Sequence, residues 1–169
     1  MKIIGWLVLT FLCGQMLGCA ASPKLEKDTE GGGGVTRTGR LPIGESEEAE
    51  DSRPGDFDLR VVKHSFPDHA PVYDIIVVDH TSGGPLNILN KDSLHFHIAG
   101  RMESLSTKSS PVNIKDTAMQ VITYTSVPVS LLQEIVMNQT YVRVLGRNGT
   151  SSGLLSKAGK AAILKLIEN

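Results

Sequence analysis

The sequence predicts an α+β fold, a mainly antiparallel sheet of about five strands with a short helix and a C-terminal helix. Three observations predict it. Short segments rich in β-branched and aromatic residues recur between Leu59 and Leu145. Turn clusters, not helices, separate most of them. Helical spacing of apolar residues begins only at Ser130. A β-sandwich with a peripheral helix is the alternative that the same pattern admits.

The strands follow in order. Residues 59–64 carry Leu-Arg-Val-Val-Lys-His, and residues 72–79 carry an apolar run with enough β-branching for a buried strand. In residues 94–99, Leu94, Phe96 and Ile98 alternate with His95, His97 and Ala99, the pattern of a half-buried strand. Residues 118–125 and 141–145 complete the set. Turns fall at Ser82-Gly83-Gly84-Pro85, Ser109-Ser110-Pro111 and Asn148-Gly149. Ser130 and Gln133 form an S-x-x-Q capping box for the short helix, whose Leu131, Leu132, Ile135 and Val136 face the core and which ends near Asn138. The second helix starts after Ser156. Its apolar stripe is Ala162, Ile163, Leu166 and Ile167, with Lys157, Lys160 and Lys165 at more polar positions.

The first residues carry a different message. Lys2 precedes an almost unbroken apolar run over residues 3–17, which Leu17, Gly18, Cys19 and Ala20 close with small residues around a cysteine. Such a run falls short of the roughly 20 residues that span a bilayer. It suits a secretory h-region that is removed. Met16-Leu17-Gly18-Cys19 resembles the lipobox of bacterial lipoprotein precursors, with Met16 where Leu is usual. The resemblance covers only the first 20 residues. It implies a signal peptide over residues 1–18, a mature chain starting at Cys19, and acyl chains (palmitate among them) on that residue as a membrane anchor. One acyl chain binds a membrane only marginally, at about 0.8 kcal/mol per buried CH₂, whereas two or three hold it effectively for good. Ala20 is not the Asp that favours inner-membrane retention, so the resemblance implies the outer membrane. Cys13 would leave with the signal and lipid would occupy the sulfur of Cys19, so the mature chain forms no internal disulfide, even in an oxidising envelope.

Residues 20–55 contain Gly31-Gly32-Gly33-Gly34 and the acidic run Glu45, Glu47, Glu48, Glu50 and Asp51, with almost no large apolar residues. That composition predicts a flexible tether, with a mean reach on the order of 30–35 Å. Residues 56–169 are then a single globular domain. It holds 11 Lys+Arg against 10 Asp+Glu, a balance of +1 that gives no basic surface for nucleic acid.

Candidate chemistry centres on His95 and His97, which alternation puts on one side of a strand. Two imidazoles so spaced begin a zinc or copper site, with His80, His64 or His69 as a third ligand and Asp79 beside His80. Leu94, Phe96 and Ile98 claim the core side, however, so the favoured reading is a solvated strand face without metal or other cofactor. Residues 146–160 are rich in glycine and hydroxyls but fail the phosphate-loop pattern, since five residues separate Gly153 from Gly159 and Ala161 follows Lys160. Lys157 and Lys160 at a helix start suggest an anion contact less than a solvated face. Neither Ser104 with Lys108 nor Ser156 with Lys157 has the spacing of a nucleophile and its base, and no Gly-x-Ser-x-Gly elbow occurs. The two Asn-x-Thr sequons, at Asn138 and Asn148, are chance matches in a bacterial lipoprotein.

The expected protein is therefore a non-catalytic envelope lipoprotein, anchored to lipid through Cys19, that binds an envelope protein partner through a sheet edge or face. The alternative is a periplasmic metal-binding or hydrolytic domain using His95 and His97.

Overall fold

Alternation of side chains along each strand decides where the core lies. The computed structural model describes residues 25–30, 33–44, 53–54, 57–80, 84–114 and 119–169. In chain order these form β1 (Leu25–Glu30), β2 (Gly33–Thr38), β3 (Leu41–Gly44), β4 (Arg53–Pro54), β5 (Phe57–Phe66), β6 (His69–Asp79), β7 (Leu94–Ile98), β8 (Arg101–Leu105), β9 (Val112–Asn113) and β10 (Gln120–Tyr124). Helix α1 (Val129–Met137), strands β11 (Thr140–Gly146) and β12 (Gly149–Leu155), and helix α2 (Lys157–Glu168) follow. The first sheet runs β1-β2-β5-β6-β10-β9, and the second runs β8-β7-β11-β12-β3. Pairing is antiparallel except for the short β4, which lies parallel to β12.

Both sheets face one core. From the first come Phe57, Leu59, Val61, Ile75, Val77 and Ile122, and from the second Leu94, Phe96, Ile98, Val142 and Val144. Each such side chain contributes about 1.5–3 kcal/mol by leaving water. The helices pack against each other. Leu131, Leu132 and Ile135 of α1 and Ala162, Ile163 and Leu166 of α2 join the same core. Lys63 also points inward, 5.9 Å from the Tyr73 ring, and its Nζ donates to the Ile167 carbonyl at 3.5 Å. A cation suits that end of α2, where the helix dipole is negative.

The sheets are joined in two ways. At one join a strand passes between them: β3 pairs through Leu41 and Pro42 with β5, then through Ile43 and Gly44 with β12. Just before it, residues 38–40 oppose only residues 60–61, a one-residue bulge in the run from β2 to β3. Thr38 turns inward there, and its Oγ1 accepts from Val61 N at 3.0 Å. The other join is the segment 84–93. On one side the first sheet's side chains hold it: Leu86 N donates to Asp79 Oδ2 and Ile88 N to Gln120 Oε1, both at 2.7 Å, and Ser93 Oγ bonds Tyr124 Oη at 2.7 Å. On the other side Leu89 N donates to the Leu145 carbonyl, and Asn148 N to the Leu86 carbonyl. Gly146 lies so close that a Cβ there would sit 2.0 Å from the Leu86 carbonyl oxygen.

The α+β class, the antiparallel sheet and the C-terminal helix agree with expectation, and two sheets around one core also fit the sandwich alternative. All five expected strands are present, but the described residues hold twelve. The largest correction concerns residues 20–55. Within them β1, β2 and β3 pair into the sheets, with Leu41 fully buried and Ile43 6% exposed, so residue 56 does not divide tether from domain. Low apolar content misled there, because backbone pairing needs few large side chains. The capping box is also corrected. Val129 is already helical, Pro128 is the N-cap without a side-chain bond, and Leu131 N and Leu132 N donate to its carbonyl. No helix among the described residues is long and apolar enough to cross a membrane.

Candidate functional site

The second sheet turns a polar side outward. His95 lies opposite Arg143 and Ser104, and His97 opposite Tyr141 and Met102, all across from the core. His95 Nε2 donates to the Asp92 carbonyl at 2.8 Å. His97 is exposed and borders a hollow of about 370 Å³ with Gly100, Asn138, Gln139 and Tyr141. The turn that shapes it, Ala99-Gly100, has both residues at positive φ (48° and 80°), as a type I′ hairpin turn requires. Lys160 reaches the Asn138 carbonyl beside the hollow, and burial lowers its pKa. The hollow is thus lined by an imidazole, a phenol and amides. It can hydrogen-bond a polar group.

The other predicted residues lie elsewhere. His80 Nε2 donates to Asp58 Oδ2 at 2.8 Å on the outer side of the first sheet, so it does not complete a set with His95 and His97. His64 is likewise held there, 3.0 Å from Asp74 Oδ2, and His69 opens β6 in an exposed position. Asp79 points the opposite way from His80 because neighbours on a strand alternate, and it is fully buried at the 84–93 join. No three His, Cys, Asp or Glu among the described residues are grouped so as to hold a metal. Residues 149–155 of the glycine- and hydroxyl-rich stretch are strand β12, and Ser156 caps α2 by accepting from Gly159 N at 3.0 Å. Cys19 lies outside the described residues.

The outer side of the first sheet was not anticipated as a site. Val62, Ile76, Val78 and Val121 point away from the core there, yet Val62 and Val78 are only 6% exposed. At the β9 edge Val112 is 63% exposed, and Ile114 just beyond it is 40% exposed. Arg60 lies opposite Ile76 in the same surface, and its Nε is buried with no hydrogen-bond partner among the described residues. A buried donor left unpaired costs about 1–3 kcal/mol. The sequence did hold a signal. In residues 72–79 consecutive residues are apolar, the mark of a strand buried on both sides rather than one.

No protein-family model matches the chain, and no curated protein or solved structure is similar to it at a significant level.

Proposed function

We propose that this chain is the precursor of a bacterial envelope lipoprotein, anchored by acyl chains on Cys19 in the outer membrane and carrying a non-catalytic binding or assembly-accessory domain. The observation that carries this reading is Leu17-Gly18-Cys19 behind the apolar run of residues 3–17. The domain part draws support from the outer side of the first sheet. At its β9 edge Val112 and Ile114 are 63% and 40% exposed, which suits apolar contact with a protein partner.

The test is intact mass and membrane partitioning of the full-length product beside Cys19→Ala. Acyl mass on the native chain, with an uncleaved and unacylated variant, is the expected result. A soluble native product cut at another residue would refute the anchor.

A further inference from the structure

The first sheet begins very near the proposed anchor. β1 starts at Leu25, so only residues 20–24 separate it from Cys19. A fully extended chain covers at most about 3.3–3.6 Å per residue, which limits the Cys19-to-Leu25 span to roughly 20–22 Å. The composition of residues 20–55 had suggested a longer mean reach, on the order of 30–35 Å.

Leu25 is also a fixed point. It packs against the core, and β1 pairs with β2 without a break from Leu25↔Thr38 to Glu30↔Gly33. Glu26 Oε2 accepts from Arg37 Nε at 2.6 Å across the same pair. The attachment therefore enters the body at one edge of the first sheet. The other edge, β9, is five strand steps away, on the order of 24 Å at the usual interstrand spacing.

From this geometry we infer that the domain is held against its own membrane with the β1 edge toward the lipid headgroups and the β9 edge turned away. This rests on the acylation of Cys19 proposed above. It gives the two edges separate roles. The lipid takes the side of Leu25 and Lys27, and Val112 and Ile114 are presented outward to the protein partner.

The mature lipidated protein suits a direct test, because its one cysteine sulfur carries lipid and a single introduced cysteine then labels cleanly. Lys27→Cys and Asn113→Cys, both exposed positions, are labelled with one fluorophore. They are reconstituted in phosphatidylethanolamine–phosphatidylglycerol vesicles containing a headgroup-linked quencher. Quenching several-fold stronger at residue 27 than at residue 113 is expected, and a 20-residue Gly-Ser spacer inserted after Ala21 should abolish the difference. Equal quenching at the two positions, or stronger quenching at 113, on protein whose mass shows the acyl chains overturns the orientation and leaves the anchor standing. Protein without acyl mass overturns both.

Discussion

The two joins between the sheets are built by opposite means. At β3 the backbone itself passes from one sheet to the other, and the Thr38 hydroxyl takes up the Val61 amide at the bend. At residues 84–93 side chains do the work. Asp79, Gln120 and Tyr124 reach across the core to hold a segment whose far side pairs with the end of β11. A strand corner keeps most of its hydrogen bonds as ladder bonds and tolerates loss of one. A join made by a few buried polar groups has no such reserve, because each lost partner leaves a desolvated group unpaired. The 84–93 join should therefore be the more fragile of the two.

Gly146→Ala strikes it hardest. The new Cβ would sit 2.0 Å from the Leu86 carbonyl oxygen and 2.6 Å from its carbon, so backbone rather than a flexible side chain must move. A loss of about 3 kcal/mol is expected, read as a lower urea midpoint for residues 20–169. A midpoint equal to that of the parent would mean that the segment shifts freely and that the contrast between the joins is false.

Tyr124 tests the same join by pH. Burial pushes its phenol up to about 12 from the ordinary 10, against the Ser93 hydrogen bond, which lowers it. Below pH 10 the phenol is protonated in both the folded and the unfolded chain. Between about 10 and 12 only the unfolded chain releases its proton, so stability falls as pH rises, by about 2–3 kcal/mol in all. Tyr124→Phe should lose about 1 kcal/mol at neutral pH, where Ser93 Oγ is left without its partner. It should then decline less steeply than the parent from pH 10 to 12. Tyr73, also raised by burial, is present in both proteins and drops out of the difference. Parallel declines would remove Tyr124 as the cause.

These joins also mark where the sequence was readable. Strands with clear alternation, such as Leu94, Phe96 and Ile98, were legible because their period reports burial directly. Ala162, Ile163 and Leu166 were legible in α2 for the same reason. The β3 corner was not, because Leu41 and Ile43 are two isolated apolar residues in a stretch dominated by glycine and acid. Their pairing partners, Leu59 and Leu155, are 18 and 112 residues away in sequence. Asp79 had the residue type of a strand-end or metal-side carboxylate, and only the fold could turn it inward toward Leu86 N. For the candidate surfaces, the outward placement of His95 and His97 followed from local alternation. The distance between His80 and that pair depends on which sheet each strand joins, a long-range fact that local pattern does not carry.

The smallest effect belongs to the β3 corner. Thr38 is 1% exposed, and Thr38→Val keeps its shape while removing the acceptor for Val61 N. The unpaired amide costs about 1–3 kcal/mol. Valine recovers part of that by suiting a strand and burying apolar surface, so a net loss of about 1 kcal/mol is expected. The sharper reading is local. Amide hydrogen exchange at Val61 should quicken by roughly tenfold, the factor that corresponds to about 1.4 kcal/mol, while the amides of Leu86 and Ile88 keep their protection. If Leu86 and Ile88 lose protection along with Val61, the two joins open as one unit and their different construction has no energetic consequence. If Val61 stays protected, the ladder pairing of β3 alone holds the corner, and the Thr38 hydroxyl contributes nothing to it.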